Sequence, residues 1–302
     1  MELDFTRLEC DIDLSFPLEL GLLFQAALRT FPLYFKATCC TTHRVGCHPC
    51  TDSDSCPYRV LFSQDLSLNP TIVKLHQKPS LPFAFSISAD VMPVRSSSVS
   101  LVIAGTALNY LSLFYEAFLN MIGTTLKAVM SSDFFSLTGY SVDYQGNRHL
   151  IGTADTLTDS MVLLSACHVL QDMVQGDSVT INLKTPLRLL SNGSTVQRFD
   201  FAPFFRSLLR RMSALIAYYG SGQLELDFSF LSNASIEVNC YDSTVHYVPS
   251  PWLKSLSSSG LLGTVECIGL VEPMFSLLRL GSYFNVGKGA TYGFGHFSLE
   301  VH

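Results

Sequence analysis

Apolar and polar positions alternate in two well-separated stretches, and a helical pattern follows each. In the first, Leu8, Cys10, Ile12 and Leu14 alternate with Glu9, Asp11 and Asp13. This is the period of a strand with one buried face and one acidic face. An acidic face of this kind repels a phosphate backbone. A helix is predicted from Leu18 to about Lys36, with an irregular end at Pro32. Further on, Phe83 and Phe85 mark one strand, and Val99, Leu101 and Ile103 another. A long helix is predicted from Ala107 to about Met130 and a strand from Ser136 to Tyr144. Residues 1–147 therefore read β-α-β-β-α-β.

The pattern then repeats. Val179 to Leu190 alternates as a strand, with a turn at Asn192 and Gly193. Asp200 is placed to cap a helix on which Phe201, Phe204, Phe205, Leu208, Leu209, Met212, Leu215, Ile216 and Tyr219 share one face. Pro203 falls in the first turn, where proline is tolerated. Strands are expected around 235–238, 245–248 and 263–268, then a short helix near 273–280 and a final strand through Phe297, Leu299 and Val301. The architecture expected is α+β: an N-terminal unit, 1–147, and a C-terminal unit, 148–302, with 151–177 open to an interdomain helix.

Composition supports large cores under a weakly charged surface. Of 302 residues, 48% are hydrophobic and 15% charged, and the net charge is −6. That balance excludes a generally basic nucleic-acid binder, so a nucleic-acid surface requires local clustering. Such clustering exists. Lys184, Arg188, Arg198, Arg206, Arg210 and Arg211 face only Asp200 in their stretch, whereas six carboxylates oppose Arg7 in the first twenty residues. Arg206 and Arg210, four apart on a helix, suit bidentate phosphate contacts, and a solvated helix face accounts for them equally well. The longest uncharged run, Ser96 to Tyr115, is interrupted by Ser, Thr, Gly and Asn and reads as a strand entering a helix, not a membrane span. Without a basic-then-apolar leader, nine cysteines imply a reduced, cytoplasmic protein.

Two segments carry candidate chemistry. In the loop 39–58, Cys40, Cys47, Cys50 and Cys56 lie close together, and Cys47-His48-Pro49-Cys50 has the spacing of a two-ligand zinc knuckle. Cys39, His43 and His48 are alternative ligands; free or oxidised thiols are the plainer reading, a loop that binds or once bound metal is the favoured one, and four protein ligands would make any zinc structural rather than catalytic. Near the C-terminus, the glycine-rich stretch 281–295 contains Gly281, Gly287, Lys288, Gly289, Gly293 and Gly295. Dense glycines permit positive φ and close backbone approach, and one lysine among them suits an anion. The spacing fits neither a P-loop nor a dinucleotide fingerprint, and a glycine-rich hairpin closing a sheet is an equal reading. No histidine motif identifies a catalytic residue by spacing.

Taken in order, these segments resemble the CRISPR-associated endoribonucleases that process precursor crRNA, the sixth Cas protein family of the RAMP superfamily. The likeness rests on Leu28-Arg29 leading to the cysteine loop and Cys56-Pro57-Tyr58-x-x-Leu61-Phe62. It continues in Thr185-Pro186-Leu187-Arg188-Leu189 and the Phe199–Leu215 segment, and ends in Leu278-x-x-Gly281 followed by Gly287-Lys288 and Gly293-Phe-Gly295. The resemblance implies two tandem ferredoxin-like, RRM-like domains, with the cysteine loop inserted in the first. It also implies an RNA surface, here Arg188, Arg206, Arg210, Arg211, Gly287, Lys288, Gly289, Gly293 and Gly295.

The chemistry it implies is metal-independent attack of a ribose 2′-hydroxyl on the adjacent phosphate, giving a 2′,3′-cyclic phosphate. Groups for that step lie on or just after the first helix in the family. This chain offers His43 as general acid or base, Lys36 to stabilise charge and Tyr34 to orient the hydroxyl. It departs from the family in reading Thr30-Phe31-Pro32-Leu33-Tyr34 where relatives have a glycine-rich turn with histidine, and in a 136–143 segment without a cation. CRISPR repeat RNA and other Cas effector subunits are the partners implied, with no membrane and with homodimerisation open. The alternatives are a non-catalytic crRNA-binding subunit and a metal-stabilised scaffold without RNA.

Overall fold

A computed structural model describes residues 3–40, 47, 55–76, 79–87, 92–151, 161–171, 176–191, 193–221, 226–249 and 259–302. These fall into two compact units, one of Asp4–Phe83 and Ile87–Leu164, the other of Ser165–His302 together with Leu3 and Ala84–Ser86.

In the first unit, strand β1 (Asp4–Leu18) leads into helix α1 (Leu20–Ala27), a 3-10 turn (Leu28–Thr30) and helix α2 (Phe31–Cys39). The predicted end at Pro32 is in fact a beginning. Proline lacks an N–H and is accepted in a first helical turn, so Pro32 opens α2, which runs on past Lys36. Helices α3 (Pro57–Phe62) and α4 (Pro70–Leu75) also open on proline, and Asn69 caps α4 by accepting from the Thr71 amide at 3.0 Å. Strands β2 (Phe83–Ile87) and β3 (Val94–Ala104) follow, then α5 (Leu111–Lys127), β4 (Phe135–Val142) and β5 (Arg148–Ile151).

The sheet order is β2-β3-β1-β4-β5, with the two-residue strand β6 (Leu164–Ser165) against β1. Strand β1 is central and antiparallel to both neighbours, so Cys10 faces Val99 on one side and Gly139 on the other. A Cβ at Gly139 would collide with the Tyr115 side chain, so this glycine makes room for α5 over β4. Phe31, Phe35, Phe83 and Phe114 are fully buried, with Phe35 and Phe114 centroids 4.8 Å apart. They bind α2 to α5.

Two expectations change here. The domain limit drawn at 147/148 falls inside the β4–β5 hairpin, because Arg148 to Ile151 hydrogen-bond to β4. The acidic face of β1 is also neutralised at Glu9 and Asp11, while Asp13 stays exposed. Arg7 pairs with Glu9, and Arg148 reaches Glu9 at 3.2 Å and Asp11 at 2.6 Å while lying 4.0 Å from the Tyr140 ring centroid. Glu9 is buried and also accepts from the Ser100 hydroxyl at 3.3 Å.

The second unit begins with helix α6 (Ala166–Gln171), within the stretch left open between the domains, and strand β7 (Ser178–Leu187). The hairpin strands β8 (Leu190–Ser191) and β9 (Ser194–Thr195) precede α7 (Phe201–Tyr219). Asp200 caps α7 as expected, accepting from the Ala202 amide at 3.0 Å. The apolar stripe predicted for this helix is buried from Phe201 to Ile216, and Phe204 meets Phe297 edge-on at 5.3 Å.

Where a strand was expected around 235–238, the chain turns out of helix α8 (Phe228–Ala234), which Asp227 caps, and the strand starts only at Asn239. Strands β10 (Asn239–Tyr241), β11 (His246–Val248) and β12 (Gly260–Ile268), helix α9 (Glu272–Phe284) and strand β13 (Phe297–Val301) complete the unit. The order β10-β12-β7-β13 repeats that of the first sheet, so both units are ferredoxin-like. Among the described residues, no helix is long and apolar enough to cross a membrane.

Candidate functional site

The C-terminal glycine stretch is a shaped loop between α9 and β13. Gly281 does not belong to it. That glycine lies inside α9, where a Cβ would strike the Leu208 side chain, so its role is close packing of α9 on α7. The loop starts at Asn285, whose φ of +59° with ψ 174° is a conformation nearly confined to glycine. The strain is held by its fully enclosed side chain. Asn285 Nδ2 donates to the carbonyls of Phe85 at 2.6 Å and Ala290 at 2.9 Å, and Oδ1 lies 3.1 Å from His296 Nδ1.

Gly287, Gly289, Gly293 and Gly295 have φ of +86°, +87°, +87° and +62°, a region in which an L side chain is strained. Two of them also approach other backbone closely. A Cβ on Gly287 would sit 2.6 Å from the Arg188 carbonyl oxygen, and one on Gly295 would overlap the Val286 carbonyl. These contacts lace the loop to the end of β7. The Lys288 amide donates to Arg188 O at 2.8 Å, the Gly295 amide to Pro186 O at 3.1 Å and the Val286 amide to Gly295 O at 3.1 Å.

Lys288 is held at the crest of the loop with its side chain exposed. Among the described residues, the amides of Gly287 and Gly289 on either side of it have no acceptor within the protein. Two amides without a protein acceptor, beside one exposed lysine, suit an anion.

The arginines divide into two kinds. Arg210 is exposed. Arg206 lies partly buried and donates through Nη2 to the Ser232 carbonyl at 3.0 Å, at the end of α8. Arg211 donates through Nε to the Phe284 carbonyl at 2.8 Å, satisfying the last turn of α9. Burial pushes its pKa down to about 10, and it remains charged at neutral pH. Named above with the RNA-binding residues, Arg211 here caps the end of α9 through this bond. Arg188 is half-buried at the end of β7, and its carbonyl receives Lys288.

In the first unit, Tyr34 and Lys36 both lie on α2. Two residues apart on a helix, they point to different sides, so the structure does not bring them together. Lys36 Nζ instead sits 5.6 Å from the centroid of Tyr58, which stacks on Phe62 at 5.0 Å. Burial, first of all, raises the Tyr58 pKa, with the nearby thiols of Cys47, Cys39 and Cys56 adding to it and Lys36 opposing. Tyr58 is therefore a candidate that sequence reasoning missed, although it lies in the Cys56-Pro57-Tyr58 motif.

His43 and Cys50 lie outside the described residues, as does His48. Cys40, Cys47 and Cys56 are partly buried, and burial pushes the Cys39 thiol up to about 11. Among the described residues, no three His, Cys, Asp or Glu side chains are arranged to hold a metal ion.

The β7-to-β13 region that carries the glycine loop coincides with a family model. Residues 181–297 match the model of the CRISPR-associated endoribonuclease Cas6. A second model, described as an N-terminal domain, matches residues 3–134. Among solved structures, a Cas6 product complex aligns with TM-score 0.55 at 13% identity, covering 99% of this chain and 100% of that chain. Cas6 from Thermus thermophilus aligns with TM-score 0.53 at 11% identity, covering 99% of both chains. A partial Cas6-RT-Cas1–Cas2 complex gives TM-score 0.58 at 11% identity, over 99% of this chain and 46% of that chain. At such identities the likeness speaks for the fold, and the Cas6 fold spans the whole chain. A comparison with curated proteins gives no match.

Proposed function

We propose that this protein is an endoribonuclease that processes CRISPR repeat RNA, with its C-terminal unit gripping the RNA backbone. The observation that carries the proposal is the glycine crest: Lys288 flanked by the amides of Gly287 and Gly289, laced to β7 within the region matched to Cas6. Backbone amides and a single cation recognise phosphate without reading sequence. Arg210, exposed on α7, and Arg188, beside the loop, extend the basic surface of the same unit.

For the chemistry, attack by a ribose 2′-hydroxyl on the adjacent phosphate requires a base, a proton donor for the leaving 5′ oxygen and a cation beside the phosphorane. His43 carries the proton and Lys36 supplies the positive charge, while Tyr34, on another side of α2, is left out of the step. Tyr58 holds the Lys36 ammonium by its ring face. The products are a 2′,3′-cyclic phosphate and a 5′-hydroxyl, with no metal required in the step.

Incubating the protein with end-labelled repeat RNA in EDTA tests this reading. A cyclic-phosphate product is expected, and it should be lost in His43→Ala. Salt-sensitive binding without cleavage would replace the proposal with a crRNA-holding subunit, and failure to bind RNA would remove it.

A further inference from the structure

Cys240 and Cys267 face each other across β10 and β12 in antiparallel register, and their sulfurs are 3.2 Å apart. Directly opposed residues in antiparallel strands have Cα atoms about 4.5 or 5.5 Å apart, and both values fall within the range of about 4.4–6.8 Å that a disulfide spans. The side chains share one face of the sheet, and both thiols are free. Cys267 is fully buried, whereas Cys240 is exposed. Cys240 also lines a groove of about 580 Å³ with Arg198, Asp200, Phe201 and Asn239, at the N-terminus of α7.

We propose that Cys240 and Cys267 form a peroxide-sensitive dithiol that closes to a disulfide across β10 and β12. The Cys240 thiol pKa is lowered, first by the hydrogen bond from Cys267 and further by the Phe201 amide at the helix N-terminus, with burial and the Asp200 carboxylate opposing. Cys267 keeps its proton in that pair. Cys240 sulfur attacks a peroxide oxygen, forming an S–O bond as the O–O bond breaks, and the departing hydroxide takes a proton to become water. Cys267 sulfur then attacks Cys240 sulfur, forming the S–S bond as the S–O bond breaks. Water leaves with the Cys267 proton. Two thiols are oxidised by two electrons, and one hydrogen peroxide is reduced to two waters. The groove gives peroxide access to Cys240, and the contact with Cys267 resolves the sulfenic acid without any strand movement. The inference stands independently of the RNA reading.

The test treats the full-length protein with substoichiometric hydrogen peroxide, blocks remaining thiols with iodoacetamide and maps peptides without reduction. A 240–267 cross-link, two hydrogen atoms lighter than the dithiol and reversed by dithiothreitol, is expected at least several-fold ahead of any pairing among the other cysteines. In Cys267→Ser, dimedone should trap a sulfenic acid on Cys240, since no resolving thiol faces it. Full alkylation of both cysteines after peroxide, or a first cross-link elsewhere, overturns the proposal. The wild-type peptide map decides even if the variant does not fold.

Discussion

Asn285 Oδ1 accepts from His296 Nδ1 at 3.1 Å. The direction follows from the rest of the amide, because Nδ2 already donates to the Phe85 and Ala290 carbonyls and an amide oxygen can only accept. Ser86 Oγ lies 3.2 Å from the same Nδ1, so the two oxygens share this ring nitrogen. Asn285→Ala removes two buried hydrogen bonds, to the Phe85 and Ala290 carbonyls, and should lower unfolding stability by about 2 kcal/mol. Urea unfolding measures it. The Nδ1 proton of His296, visible by NMR in the wild type, should then exchange fast.

Shape and charge are separable in the glycine loop. Gly295→Ala must adopt a φ of +62° and press on the Val286 carbonyl, so a loss of roughly 1–3 kcal/mol is expected. Lys288→Ala is expected to leave stability unchanged, to weaken RNA binding to a similar degree across sequences and to reduce the salt slope by about 1. Unfolding and filter-binding titrations on the two variants would show opposite patterns.

Neighbouring arginines should behave differently. Arg211→Ala removes the bond to Phe284 O and leaves a gap between α7 and α9, costing about 2–3 kcal/mol. Arg210, exposed, should cost no more than about 0.5 kcal/mol when changed to Ala, while weakening RNA binding. Equal stability losses in the two variants would contradict the helix-capping role.

Cys10, buried between Val99 and Gly139, has its pKa raised from 9.0 to about 12, chiefly by burial and also by the Asp11 carboxylate. The folded state then holds the thiol proton more tightly than the unfolded chain. Its contribution is complete below pH 9 and is lost as pH rises toward 12. Stability measured from pH 8 upward should therefore fall, and Cys10→Ala should flatten part of that fall.

Zinc in the cysteine loop is tested by metal analysis. About one zinc per chain, with stability lowered by chelator, is the expected outcome for four thiolate ligands. Metal-free protein with chelator-insensitive stability would leave the loop with thiols alone.

Periodicity made much of this protein legible. The alternation in β1 and the stripe from Phe201 to Ile216 specify their buried faces because burying those side chains needs no distant partner to define which face is apolar. The two βαββαβ units and the glycine-dense turn followed from the same local signals. Long-range pairings were not readable. Glu9 and Asp11 look like a repellent acidic face until Arg148, remote in sequence, reaches them. Arg211 looks like Arg210 until α9 places Phe284 O beside it. Gly281 looks like loop glycine until Leu208 fills its missing side chain. Tyr58 gains meaning only when Lys36 lies over its ring. By itself the sequence determined the two repeats, the buried faces of their main strands and helices and the glycine-dense turn, since these depend on side-chain size and hydrophobicity along a few turns or strands. Tertiary structure alone decided which charges are spent inside the fold and which remain for a ligand, because a charge's partner is set by through-space distance.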